Sequence, residues 1–160
     1  MAWTNVYPEV INIPQPTVST CWLACMQMLF VWKGKDPAEV YQKLNADPNI
    51  FPDYWLENGV SPDNCLQMGR CLGTSWAGDG DVDADVLATA LKKHGPYWVA
   101  GEWKKGYAHV KVVIGCDPVG GMVKLINPWN PSDPVDFSTI AAFNNRGDKW
   151  KVLGSFLYWL

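Results

Sequence analysis

Between Cys21 and Trp32 the chain reads CWLACMQMLFVW, and no Gly or Pro interrupts it before Gly34. Apolar residues cover nearly every face of such a segment, so it predicts a central, buried helix rather than an amphipathic surface one. Ser19-Thr20 supplies a polar cap at its start and Gly34 a stop at its end. Asp36-Pro37-Ala38-Glu39 opens a second helix, reaching about Leu44, with the cap, first-position Pro and returning Glu of a capping box. Residues 45–60 carry Pro48, Pro52 and Gly59 and read as a loop. Ser61-Pro62-Asp63-Asn64 starts a third helix that ends between Gly69 and Gly73. A fourth, Ala84 to Lys93, presents Val86, Leu87, Ala90 and Leu91 on one side and stops at Gly95.

After Gly95-Pro96 the period changes from helical to alternating. Strands are expected over Tyr97–Trp103, Ala108–Gly115 and Met122–Ile126, with a tight turn over Gly115–Gly121. A short helix around Ser138–Asn144 and two closing strands, Trp150–Leu153 and Phe156–Leu160, complete the order. Residues 1–14, with Pro8 and Pro14, read as an extended arm or edge strand. The whole is one α+β domain over residues 1–160. A helical lobe over about 15–95 packs on an antiparallel sheet lobe over about 96–160, with a cleft between them.

At 160 residues, 48% hydrophobic and 18% charged, the chain is long and apolar enough for a real core. Its net charge of −3 offers no basic footprint for nucleic acid. No apolar run reaches the ~20 residues of a membrane span. The start, Met-Ala-Trp-Thr-Asn, lacks the basic and apolar regions of a secretory signal. The expectation is a protein of the cytoplasm, or one exported by a route that needs no such signal. Ten Trp are many for this length; core packing accounts for most, and a Trp-lined groove is the alternative. Five Cys, an odd number, exclude a fully paired framework, and none has zinc-ligand spacing. A Cys65–Cys71 disulfide is allowed but not required. Gly78–Asp83 looks like a calcium loop yet lacks the closing Glu, so helix caps and turns explain its acids better. No metal or cofactor is implied.

Chemistry points to Cys21. A thiol in the first turn of a helix meets unsatisfied N–H groups and the positive dipole end, which favour thiolate. Gln15, six positions earlier, could donate to an oxyanion forming beside that sulfur. A cysteine on an apolar helix is ordinarily packing; the other groups in the chain distinguish this one. Cys25, one turn on, should lie buried behind it. His109 heads an apolar strand after Gly106-Tyr107-Ala108, where a side chain can face the cleft. His94, at a polar helix end, reads as an ordinary surface histidine. Antiparallel pairing through the Gly120-Gly121 turn brings Asn127 beside His109, where its carbonyl could orient the ring. Asn130 competes for that role, and Asp117 lies at the far end of the histidine strand.

In Q-x5-CW from Gln15 to Trp22, Ala108-His109-Val110 and Asn127-Pro128-Trp129, the chain resembles the papain-like cysteine proteases. The likeness spans about Ile13 to Asn144. N-P-W replaces the more usual N-S-W, and the small size is more similar to compact bacterial members. These include type III effector proteases of plant pathogens and peptidase domains of bacteriocin-exporting transporters. PQPTVSTCWLA, GPYWVAGEW and INPWNP resemble the effector type most. Many compact members carry Asp where Asn127 stands. The resemblance implies a thiol protease with Cys21 as nucleophile, His109 as base, Asn127 as orienter and Gln15 in the oxyanion hole, with Trp22 and Trp129 near substrate. It implies a protein or peptide substrate and a translocated effector or toxin, for which a cognate immunity or inhibitor protein would be needed. A peptidoglycan amidase, a glutamine deamidase or transamidase using the same site, and a non-catalytic papain-like binding module are the alternatives.

Overall fold

The computed structural model describes residues 2–76, 80–151 and 157–160. Helix α1 spans Cys21–Trp32, and eight of its twelve residues are buried. It is followed by α2 (Ala38–Ala46), α3 (Pro52–Asn58), α4 (Pro62–Cys71) and α5 (Ala84–His94). The strands are β1 (Thr4–Asn5), β2 (Ser75–Trp76), β3 (Tyr97–Lys104), β4 (Tyr107–Asp117), β5 (Met122–Ile126), β6 (Val135–Thr139) and β7 (Leu157–Trp159). Helix α6 (Ile140–Asn144) and a 3-10 turn at Asp148–Trp150 lie between β6 and β7. The strands form one antiparallel sheet in the order β2-β7-β3-β4-β5-β6, with β1 added along β4. The fold is therefore α+β, as expected.

One core joins the helices to the sheet. Trp22, Met26, Phe30 and Trp98 have no exposed surface. The Trp98 indole N–H donates to Trp22 O at 3.0 Å, tying β3 to α1. Cys25 lies behind Cys21, fully buried, its thiol directed at Val110 O of β4 at 3.4 Å. These links fix the start of α1 against the start of β4. The N–H groups of an α-helix's first turn have no partner in the helix's own backbone ladder, so this end presents N–H groups to the site.

Several expectations are corrected. The loop assigned to residues 45–60 contains α3; Pro52 begins that helix instead of breaking it, and burial of Trp55 against Trp22 holds it in place. Strand β6 was expected to be helical from Ser138; the helix starts two residues later, where the Thr139 hydroxyl accepts from Ala142 N. On α5 the buried residues are Leu87, Ala88 and Leu91, whereas Val86 is exposed. Trp150 lies in the 3-10 turn rather than a strand. Residues 152 and 153 of that expected strand, residue 156 of the last one, and residues 78 and 79 of the acidic run lie outside the described residues. Cys65 and Cys71 are free thiols. Both stand on α4, six positions and therefore about 9 Å of helix rise apart, too far to bridge.

Candidate active site

Four stretches of chain meet at the seam between α1 and β4. The expected capping of α1 is reversed. Thr20 does stand at the N-cap, but its hydroxyl bonds back to the Thr17 backbone instead of forward into the helix. That closed Thr17–Thr20 turn sets the approach of the chain to Cys21. Gln15 is buried, and its amide N–H donates to Thr17 O at 2.7 Å. A primary amide has a second N–H. Gln15 N donates to Pro128 O at 3.1 Å, so the glutamine arm is bound to the segment that carries Asn127 and Trp129.

His109 is 4% exposed. Its Nε2 lies 2.7 Å from Asn127 Oδ1, which leaves Nδ1 for another partner. Asn127 is itself held. Its Oδ1 also accepts from Trp129 N at 3.1 Å, and its own N–H donates to Pro134 O at 2.7 Å. Of the candidates for orienting the ring, Asn127 alone reaches it. Asn130 turns its backbone N–H to Asn127 O. Asp117 accepts from the N–H groups of Ala2, Val119 and Gly120 at the other end of β4, where it secures the β4–β5 turn. The Trp103 indole donates to His109 O at 2.9 Å and steadies the strand under the ring.

Cys21 and His109 line one small cavity of about 140 Å³, together with Ser19, Asn58, Gly59 and Trp150. Burial pushes the Cys21 thiol above its ordinary range, only partly offset by backbone hydrogen bonds from Val110, Trp22 and Cys21 itself. The expected helix-end lowering of the thiol is thus outweighed by desolvation. Burial also lowers His109; the Asn127 hydrogen bond opposes that shift, and the nearby Lys111 adds to it. Both shifts favour the neutral form, thiol for Cys21 and imidazole for His109.

Trp22, expected near substrate, stands at the small cavity. It backs the small cavity but is wholly buried, its indole N–H donating to Trp55 O at 3.1 Å, and it supports the site from the core. Trp129 is 46% exposed. It lines a second cavity of about 670 Å³ that also has His109 in its wall, with Asn127, Tyr107 and Lys111. His94 stacks on Trp159 at 4.5 Å, away from both cavities, and burial and nearby lysines lower it.

Two features escaped the sequence reading. Arg146 is completely buried, and burial lowers it to about 10. Its side chain lies against Gly101, the cross-strand partner of His109, where a Cβ would approach within 2.6 Å. This arginine therefore covers β3 beside the strand that carries His109. Asn58 and Gly59 reach the cavity from a segment expected to be loop. Among the described residues no group of three or more His, Cys, Asp or Glu side chains could hold a metal. No helix among them is long and apolar enough to cross a membrane.

The fold is similar to that of the peptidase domain of Streptococcus ComA, described as a bi-functional ABC transporter involved in a quorum sensing pathway. The likeness has a TM-score of 0.51 at 15% identity and covers 94% of this chain and 96% of that one. No curated protein sequence matches this one. The family model described as papain-like cysteine protease AvrRpt2 matches residues 3–148, nearly the whole chain. A helix-borne cysteine, a strand-borne histidine and this family match together place the chain among the hydrolases: it belongs to the papain-like cysteine protease AvrRpt2 family.

Proposed function

We propose that the peptidase works through Cys21, His109 and Asn127, with Gln15 and the Cys21 N–H as oxyanion donors. The observation that carries this is the 2.7 Å contact between Asn127 and His109 Nε2, on a ring that shares a cavity with Cys21. Asn127 holds the ring with Nδ1 available to the thiol. As the sulfur attacks a peptide carbonyl, its proton passes to Nδ1, and negative charge forms on the carbonyl oxygen. In this reading the Cys21 N–H and the second N–H of the Gln15 amide would meet that charge. His109 then returns the proton to the leaving amine, and water cleaves the thioester.

The test uses a protein substrate mixture and mass spectrometry. New peptide termini that vanish with Cys21→Ala support the reading, as does a mass adduct at Cys21 after a thiol-directed inhibitor. A gain of about one dalton at glutamine without chain cleavage would instead make this site a deamidase, and release of soluble muropeptides an amidase.

The role we infer is that of a bacterial effector acting on a protein of the cell that receives it, with a cognate inhibitor where the producer must be spared. Membership of the AvrRpt2 family supports this reading. A reporter fused to the chain should reach recipient cells only while the producer's export machinery is intact; retention in the producer overturns it.

A further inference from the structure

The small cavity accounts for the reacting groups, but the larger one has no part in proton transfer. The two share His109 as a wall. In peptide cleavage that ring gives its proton to the leaving nitrogen, so the substrate segment following the cut must lie against it. Continuing away from Cys21, this segment enters the larger cavity.

The cavity's surface has a definite chemistry. Trp103, Tyr107 and Trp129 form aromatic walls, and Lys104, Lys105 and Lys111 bring cations. One carboxylate, Asp136, also lines it, but it is paired with Lys111 at 3.0 Å. Lys111 in turn lies 5.0 Å from the Trp103 ring. Lys104 and Lys105 are exposed at the β3–β4 hairpin, and among the described residues neither forms an ion pair. Glu102, on the same hairpin, is directed to Gly106 N at 2.8 Å and is not part of the lining. Three lysines against one carboxylate make a locally cationic site on a chain of net charge −3. A surface of that sign beside the catalytic ring selects for negative charge.

We propose that this cavity is a specificity site for an acidic side chain, Asp or Glu, within the first residues after the scissile bond. Lys104 and Lys105 supply the opposing charge and the aromatic walls shield it from water. The assignment rests on the peptidase reading above.

The test is a peptide library randomised on both sides of the cut, with cleavage sites read by mass spectrometry. Aspartate and glutamate should be enriched after the cut. In matched peptides kcat/KM should favour the acid over its amide by about three- to tenfold, the scale of one or two partly exposed ion pairs. Added salt should shrink that ratio. Lys104→Glu with Lys105→Glu should invert the preference toward Lys and Arg, whereas Lys92→Glu with Lys93→Glu on α5 should leave it intact. Because the readout is a ratio within one sample, partial unfolding does not imitate it. If the double variant cleaves nothing, Lys104→Gln with Lys105→Gln takes its place and should flatten the ratio. Equal cleavage of acid and amide, or a preference that survives both pairs of lysine substitutions, overturns the pocket assignment and leaves the peptidase intact. A wild-type enzyme that cleaves no peptide overturns both.

Discussion

The cavity holding Cys21 measures about 140 Å³ and is backed by the buried Trp22, Val110 and Trp150; the other cavity that His109 lines measures about 670 Å³ and is walled by aromatic and charged side chains. The first is set by the core. Its thiol stands on a helix whose other residues pack against Trp55, Trp98 and β4. Desolvation there raises the thiol, so the site depends on its neighbours to generate a nucleophile. The second is set by a hairpin and by the segment after β5, where nothing needs burial and side chains are free to serve recognition. On the proposed reading, chemistry and selectivity are divided between the two cavities that share this imidazole.

Substitutions on the closed side should have the largest effects. Cys21→Ala removes the nucleophile, and turnover should fall by about 10⁴-fold or more, as when a member of a catalytic triad is deleted. Full activity of that variant on any substrate would end the mechanism. Gln15→Ala should lower kcat by about 10²–10³-fold, the usual effect of losing one oxyanion donor. Its KM should change far less, because the donor is needed in the transition state.

Asn127 stands where the two sides meet, and its replacement sharpens the comparison through pH. Burial keeps His109 below its ordinary value, so the ring remains an available base to lower pH than a free histidine, whose pKa is about 6.5. The acid limb of kcat/KM should therefore lie below that pH. The Asn127 hydrogen bond works in the opposite direction and raises His109. Asn127→Ala should move the acid limb further toward low pH while reducing the rate by about 10²-fold, the low end for general acid–base catalysis. An acid limb that moves toward neutral pH would contradict that assignment. The open side should respond least. Trp129→Ala, at an exposed wall, should raise KM several-fold with kcat nearly constant; a collapse of kcat would place Trp129 in the chemistry instead.

Much of this arrangement was legible in the chain. The apolar run from Cys21 to Trp32 could only be buried, and Gly95-Pro96 marked the change from helices to sheet. Antiparallel pairing through the β4–β5 turn returned the end of β5 toward the start of β4; the paired register stops at Val112 and Ile126, and the Asn127 side chain reaches His109 from just beyond it. Other elements were hidden for physical reasons. Pro52 reads equally as a loop residue or a helix start, and only the contact of Trp55 with Trp22 decides between them. Strand β6 alternates weakly, being an edge strand with exposed positions, and was confused with the helix that follows it. Strands β1 and β2 have two residues each, too short for any period to register.

The sequence by itself determined the candidate side chains for the chemistry and the order in which the chain supplies them, since residue type and local spacing need no partner to be read. The tertiary structure decided how those groups behave. Burial raised the thiol against the helix dipole, withdrew Trp22 into the core, laid Arg146 over Gly101 and opened a cationic groove beyond His109. Desolvation and charge environment are sums over residues distant in the chain, and no local pattern encodes them.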